Sequence, residues 1–459
     1  MFEIDFKKPI HIYFIGIGGI SMSGLAEILL NEGFQISGSD TGQSPLTRKL
    51  ASMNATIYYG QSVSHLDDTV DLVVYTAAIH EDNPEWIRMK ELGLPSLSRA
   101  ELLGQMMKNY EMPIAVSGTH GKTTTTSMIS QVLLSSDLDP TLSIGGILKA
   151  INGNIRIGKS PYFVTEACEY TNSFLKFFPK VGIILNVEED HMDFFHDIEE
   201  IRQSFHQFAA LIPADGTLII NEEIENLSSI TNGLTCNILT YGFTENCDYY
   251  ASDISYDSLG LASYTLIRKN KAPLSVSLGV PGRHNISNSL AAFALSDLLA
   301  LKEEKTCQAL LDFKGTDRRF EYKGEIGGIT IIDDYAHHPT EITATLTAAA
   351  NYPHKTLWCI FQPHTYTRTK AFLTDFAQAL SLADKVILAD IYAARETDTL
   401  GISSADLQKE LLKLGKECYH FPTFDEIENF LLEKCINGDL LITMGAGDIV
   451  KVGENLLGL

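Results

Sequence analysis

EMPIAVSGTHGKTTTTSMISQVLL, residues 111–134, decides how the chain is read. An apolar run gives way to a loop with two glycines and then to a long stretch without breakers, which predicts strand, loop and helix in succession. That is the setting of a phosphate-binding P-loop, whose backbone N–H groups surround the β- and γ-phosphates of ATP at a helix N-terminus. Lys122 adds a point charge, and the Thr123 hydroxyl is suited to Mg²⁺. The usual pattern G-x-x-x-x-G-K-[ST] asks for glycine at Val116; here Gly118 lies inside the loop instead. Gly118, Thr119, His120, Gly121, Lys122, Thr123 and Thr124 therefore form a variant P-loop.

The same alternation of apolar runs and helical patterns extends in both directions. Upstream, HIYFIGIGG (11–19), a helix ending at Gly33, FQISGSD (34–40) and DLVVYTAAI (71–79) have a βαβ rhythm. Beyond the P-loop, YFVTEAC (162–168) and VGIILNVE (181–188) read as further strands. A third unit supplies GGITIIDDYAHHP, TLWCIFQPH, KVILADIY and DLLITMGAGD, with helices expected over 339–351 and 369–382. The chain of 459 residues thus reads as three α/β units with parallel sheets, placed at 1–108, 109–313 and 314–459.

Composition excludes several classes. The formal net charge is −23, a surface that repels phosphate backbones and anionic lipid, so neither nucleic-acid binding nor membrane insertion is expected. The most apolar stretch, 10–30, is broken by glycines and Glu27, and the acidic start MFEIDFKK does not read as a signal peptide. Seven scattered cysteines without a C-x-x-C pair point to reduced thiols and a cytoplasmic location. Any anionic ligand has to be held by local cations, metal ions or backbone N–H groups.

Candidate groups collect at strand ends, where open α/β sheets form their ligand crevice. Gly16, Gly18, Gly19 and Ser21 make a second Gly-rich loop, and Asp40 closes the next strand, as a ribose-binding acid does in dinucleotide folds. A nucleotide diphosphate fits this loop better than a dinucleotide, because the ATP loop lies elsewhere. Glu166, Glu169, Asp190, His191 and Asp193 end two central strands, where an acid and a histidine beside a P-loop would complete coordination of Mg²⁺. The third unit adds Arg318, Arg319, Asp333, Asp334, His337, His338, His364, Arg368, Asp390, Tyr392, Arg395 and Glu396, with Arg283 and Asn285 just upstream. Arginines gathered in an acidic chain mark a place where negative charge builds up during reaction. The parts fit phosphoryl transfer to a carboxylate followed by amine attack, and equally plain kinase or ATPase chemistry.

HIYFIGIGGISMSGLAEIL, ISGSD, AVSGTHGKTTTT, TEACEY, NVEEDHMDFF, PGRHN, DDYAHHPTEI and FQPHTYTRT, in this order along nearly the whole chain, resemble the Mur ligase family, and FQPHTYTRTKAF its alanine-adding members. The resemblance implies an N-terminal Rossmann-like UDP-binding domain, a central P-loop ATPase domain and a C-terminal Rossmann-like domain that closes over ATP and the amino acid. It implies an ATP-dependent ligase that joins L-alanine to the lactyl carboxylate of UDP-N-acetylmuramate through an acyl phosphate, in cytoplasmic peptidoglycan synthesis. ATP and Mg²⁺, or Mn²⁺ in its place, would be required; monomer and homodimer both stay open.

By position, Lys122 and the loop 118–124 would hold the ATP phosphates, with Asn285, Arg319 and Asp334 near the nucleotide. Thr123, Glu166 and His191 would serve the metal. His337, His338, His364 and Arg368 would line the alanine and acyl-phosphate region. Gly16, Gly18, Gly19, Ser21 and Asp40 would hold the UDP moiety, and Gly145, Gly146 and Lys149 would face the sugar nucleotide. The chain departs from the E-A-D-E-S of many relatives by reading Glu166-Ala167-Cys168-Glu169-Tyr170. The alternatives are a recycling ligase that attaches a tripeptide, a non-catalytic sensor of UDP-sugar and ATP, and an NAD-dependent oxidoreductase resting on the first Gly-rich loop alone.

Overall fold

The structure is a computed structural model that describes residues 2–459 apart from 77, 193, 258, 270 and 395. Asp193 and Arg395, singled out above, lie outside the described residues. The chain divides into two compact units, Met1–Thr126 with Leu133–Leu239 and Ser127–Val132 with Thr240–Leu459.

The first unit opens with β1 (His11–Ile15), α1 (Ile20–Asn31), β2 (Gln35–Asp40), α2 (Pro45–Ser52), β3 (Thr56–Tyr59), β4 (Leu72–Tyr75), α3 (Pro84–Leu92), β5 (Ser96–Ser98) and α4 (Arg99–Met107). Among the described residues these strands form one parallel sheet in the order β3-β2-β1-β4-β5. Ile12 to Ile15 are fully buried, as expected of a central parallel strand covered on both faces. The chain leaves β1 for β2 on one side and returns to β4 on the other. The Gly16–Ser21 loop therefore opens where the strand order reverses, the usual position of a ligand crevice.

The pattern repeats in β6 (Met112–Ser117), α5 (Lys122–Ser135), β7 (Thr141–Leu148), β8 (Gly153–Arg156), β9 (Tyr162–Glu166), β10 (Val181–Ile184), α6 (Ile198–Ala210), β11 (Thr217–Asn221), α7 (Ser228–Thr231) and β12 (Asn237–Gly242). Within this unit the strands run β8-β7-β9-β6-β10-β11, with β6 between β9 and β10. The P-loop after β6 thus occupies a second reversal point. One apolar core joins both layers of the unit, from Ile12 and Leu25 through Met107 to Phe174, Phe205 and Phe208.

The second unit continues with β13 (Tyr249–Tyr256), β14 (Leu261–Arg268), β15 (Leu274–Pro281), α8 (Arg283–Leu298) and α9 (Glu303–Asp312). Then come β16 (Glu321–Ile326), β17 (Ile329–Asp334), α10 (Pro339–Ala349), β18 (Leu357–Phe361), α11 (Tyr366–Ala371), α12 (Leu373–Leu380), β19 (Lys385–Leu388), α13 (Ser404–Lys413), β20 (Glu417–His420), α14 (Phe424–Lys434), β21 (Leu440–Met444) and α15 (Val450–Leu457). The last sheet is ordered β16-β17-β21-β18-β19-β20, parallel except for the edge strand β16. The apolar-run reading finds β17, β18, β19 and β21 and misses β16 and β20, edge strands with polar faces. The single helix expected over 369–382 is instead two, α11 and α12, parted at Phe372 (ψ 24°). Phe372 packs edge-on against the His338 ring at 4.9 Å, and this tertiary contact takes precedence over helical continuity.

Close backbone approach sets one position strictly. A Cβ on Gly104, inside α4, would lie 1.9 Å from the Lys176 carbonyl oxygen, so the helix docks only because that side chain is absent. Gly104→Ala should destabilise the first unit by about 1–3 kcal/mol, despite the better helix propensity of alanine. Urea unfolding followed by tryptophan fluorescence, with Trp86 in this unit, checks this as a lower midpoint.

Candidate active site

The P-loop is held in a shape only glycine adopts easily at two points, Gly118 (φ +144°) and Gly121 (φ +83°). Asn186, after β10, braces it: the His120 N–H donates to its carbonyl oxygen at 2.7 Å, and its amide donates back to the His120 carbonyl at 3.0 Å. Lys122 opens α5. Its ammonium donates to the carbonyls of Gly118 at 2.5 Å and Thr119 at 3.0 Å, and to the Glu169 carboxylate at 3.2 and 2.9 Å. Burial works against the ammonium, but the charges of Glu169, Cys168 and Glu166 outweigh it and hold Lys122 above the ordinary lysine range.

Thr123 donates its hydroxyl proton to Glu166 at 3.0 Å, and the Gly145 N–H reaches the other Glu166 oxygen at 2.5 Å. A Cβ at Gly145 would stand 2.7 Å from that carboxylate, so glycine there makes room for it. His191 takes a left-handed backbone (φ +54°), donates its N–H to Asp190 at 2.7 Å, and stacks on Tyr170 at 4.5 Å. Its Nε2 lies 3.8 Å from Glu169. The structure therefore gathers Lys122, Thr123, Glu166, Glu169 and His191 at the head of α5. The touching Thr123 hydroxyl and Glu166 carboxylate are hard oxygen donors, a set that fits Mg²⁺.

In the first Gly-rich loop, the Gly16 and Ile17 N–H groups both donate to the Ser39 carbonyl at 2.9 Å. Asp40 accepts from the N–H groups of Gly18 at 2.7 Å and Thr41 at 2.8 Å, so its carboxylate closes the loop from within. Ser21 receives a hydrogen bond from Arg99 at 3.0 Å. Gly146 lies in β7, and Lys149 begins the turn that follows it.

In the second unit, the turns after β17 and β18 bring histidines together. The His337 and His364 rings are 5.7 Å apart, and His364 stacks on Tyr392. Arg368 Nη1 lies 3.2 Å from His364 Nδ1; an arginine has no acceptor, so His364 Nδ1 carries the lone pair. His337 Nδ1 lies 2.9 Å from the Tyr335 carbonyl, which only accepts, leaving Nε2 as the basic atom. His338 is placed differently: it is buried, and its Nδ1 accepts from the Thr340 N–H as the N-cap of α10. Asn285 is also turned inward, donating to the Pro281 carbonyl at 2.7 Å. Arg319 faces Glu341 at 3.9 Å and lies over the Tyr335 ring, as does Arg318. Buried Asp334 accepts from the N–H groups of Phe320 and Ala336, both at 2.7 Å. Desolvation raises its pKa to about 6 against the opposing charge of Arg319.

Sequence reasoning left Asn186, Glu341 and Arg99 unremarked and gave Glu169 no partner. Asn186 and Glu341 act through backbone and neighbouring side chains, which leave no pattern in one sequence. Arg99 did leave a signal: it follows the capping serine of S-R-A-E, where a helix dipole disfavours positive charge.

Three family models cover the chain: "Mur ligase family, catalytic domain" over 11–111, "Mur ligase middle domain" over 116–296 and "Mur ligase, glutamate ligase domain" over 318–447. The UDP-N-acetylmuramate–L-alanine ligases of Agathobacter rectalis and Lachnospira eligens are 60% and 58% identical to it, over the full length of both chains in each pair. Among solved structures, the UDP-N-acetylmuramate-alanine ligase of Thermotoga maritima is similar with a TM-score of 0.81 at 29% identity, covering 98% of both chains. The murein peptide ligase of Psychrobacter arcticus gives 0.72 at 26%, also over 98% of both.

The titration of Asp334 has a definite sign. Its folded pKa of about 6 lies above the ordinary carboxylate value, so between the two the folded chain keeps a proton that the unfolded chain has lost. The contribution of Asp334 to stability therefore grows as pH falls from about 7 to about 4, by on the order of 2–3 kcal/mol. Urea unfolding across this range, comparing the wild type with Asp334→Asn, should show the difference moving in favour of the wild type at acid pH.

Proposed function

Because the chain belongs to the Mur ligase family, we propose that it joins L-alanine to the lactyl carboxylate of UDP-N-acetylmuramate, converting ATP to ADP and phosphate. The observation that carries this reading is full-length identity of 60% to an enzyme named for that substrate pair, combined with an intact P-loop whose Lys122 and Thr123 meet two carboxylates. The enzyme is an ATP-dependent carboxylate–amine ligase acting in peptidoglycan synthesis.

The chemistry follows from the charges. The lactyl carboxylate oxygen attacks the γ-phosphorus, the β–γ bridging bond breaks, and ADP leaves as an acyl phosphate forms. Lys122 exchanges Glu169 for the phosphate oxygens and neutralises charge where it is greatest during transfer. Thr123 and Glu166, with His191 beside them, would hold Mg²⁺, which would supply further charge neutralisation. The alanine amine then attacks the acyl carbon and phosphate departs with the electron pair of the acyl–oxygen bond. His337, protonated at Nδ1 and basic at Nε2, takes the proton from the amine. Arg368 is suited to grip the alanine carboxylate through paired hydrogen bonds. The limits 1–108, 109–313 and 314–459 remain our division of the domains, and the enzyme acts in the cytoplasm; no helix among the described residues is long and apolar enough to cross a membrane.

Phosphate release, followed with ATP and each candidate substrate, tests the proposal. Turnover should require both UDP-N-acetylmuramate and L-alanine, disappear with chelator and return with Mg²⁺ or Mn²⁺. Lys122→Ala should lower it at least about a hundredfold while UDP-sugar binding survives. Faster joining of the tripeptide L-Ala-γ-D-Glu-meso-diaminopimelate than of L-alanine would make the protein a recycling ligase. Nucleotide binding without turnover would make it a sensor.

A further inference from the structure

The turn that follows Glu169 is strained. Thr171 (φ 54°, ψ 26°) and Asn172 (φ 55°, ψ 29°) both take the left-handed backbone that favours glycine. Asparagine tolerates it, but a β-branched threonine there is an outlier. Such a conformation persists only where the surroundings fix both ends. On one side Glu169, 2% exposed, is held by the Lys122 ammonium at 2.9 Å. On the other, Phe174 is fully buried, stacked on Phe208 at 4.8 Å and edge-on to Phe205 at 5.3 Å. Between them the Asn172 N–H donates to the Glu169 carbonyl at 2.9 Å, and Ser204 donates its hydroxyl proton to the Asn172 side chain at 2.5 Å.

What the turn presents is the ring of Tyr170, stacked on the His191 imidazole with centroids 4.5 Å apart and planes 30° from parallel. The backbone of His191 is fixed by hydrogen bonds. Its N–H donates to Asp190, and its carbonyl accepts from the N–H groups of Phe194 and Phe195 at 2.8 and 3.0 Å. Its ring is held differently. Among the described residues neither ring nitrogen makes a hydrogen bond, and the carboxylates of Glu169 and Asp190 stand 3.8 and 3.9 Å from Nε2. An imidazole without such a bond turns about its side-chain torsions unless a flat neighbour holds its face. Tyr170 is that neighbour, itself met edge-on by Phe194 at 6.1 Å.

We propose that Tyr170 is a positioning residue: its ring sets the plane of the His191 imidazole so that a ring nitrogen stays available to the nucleotide and its metal ion. The Thr171–Asn172 turn keeps its strain because it aims that ring. This rests on the assignment of His191 to the nucleotide site made above. A side chain hydrogen-bonded to the imidazole would fix it equally well but would occupy a nitrogen, whereas stacking fixes the ring and leaves both nitrogens open.

Histidine-selective carbon-13 labelling of the full chain gives a ring signal for each histidine, and the His191 signal is the one lost in His191→Gln. In the ligand-free wild type this Hε1 resonance should lie upfield, shifted by the ring current of Tyr170. Tyr170→Phe should keep that shift and at least about half of the turnover. Tyr170→Ala should abolish the shift and lower kcat at least about tenfold, with KM for UDP-N-acetylmuramate and for L-alanine within about threefold of the wild type. Thr171→Gly keeps every ring and takes the left-handed backbone without strain, so it decides the matter if Tyr170→Ala does not fold. It should raise the midpoint of urea unfolding and lower kcat at least about threefold, as the aim of the ring loosens. A Tyr170→Ala chain that loses the shift yet keeps wild-type kcat would overturn the proposal, as would a resonance that this variant leaves in place. A Thr171→Gly chain of higher midpoint and unchanged kcat would overturn the role given to the strain. Turnover untouched by His191→Gln would instead remove the assignment of His191 to the nucleotide site.

Discussion

Holding polyanions on a chain of net charge −23 is the constraint around which the molecule is arranged. The general field opposes every phosphate, so attraction has to be local, short-ranged and desolvated. The chain meets this with backbone N–H groups at helix starts and with a few cations, each kept close to such a start. Lys122 is the clearest case. Its ammonium is neutralised by buried Glu169 and donates to two loop carbonyls, so the charge is stored close to the place of use. The phosphates of ATP then compete with one carboxylate rather than with bulk water.

The positions of these clusters follow from topology more than from local sequence. Strand order reverses around β1 and around β6, and each reversal parts the two following connections and leaves a crevice above the sheet. The two Gly-rich loops lie there. The last sheet does the same with β21 inserted between β17 and β18, so the turns carrying His337 and His364 flank one gap and bring their rings 5.7 Å apart. Glycine is needed where a side chain would fill the space a carboxylate takes, as Gly145 shows beside Glu166.

Much of this was legible in the sequence. Apolar runs bounded by glycine located the central parallel strands, because strands covered on both faces have to be apolar throughout. The P-loop residues and the Thr123–Glu166 contact were readable because motif and strand end coincide. Edge strands β16 and β20 were not, since β16 buries no residue fully, β20 buries only Cys418, and neither carries a continuous apolar run. Pairings across elements were hidden as well. Nothing in one sequence says that Glu169 belongs to Lys122, that His338 caps a helix while His337 stands free of that duty, or that Asp40 closes its own loop. Those outcomes depend on three-dimensional distances. Arg99 lies at a helix start and not at a strand end, and its charge there is locally unfavourable, so no strand-end pattern marks it.

The central claim is that the charge stored at Lys122 serves phosphoryl transfer onto a carboxylate, and not hydrolysis of ATP by water. The fate of oxygen addresses it directly. UDP-N-acetylmuramate labelled with oxygen-18 in its lactyl carboxylate, turned over with ATP and L-alanine in ordinary water, should release phosphate carrying one labelled oxygen per turnover, because the acyl–oxygen bond breaks with that oxygen bound to phosphorus. Phosphate free of the label, released while the sugar nucleotide keeps both labelled oxygens, would contradict it.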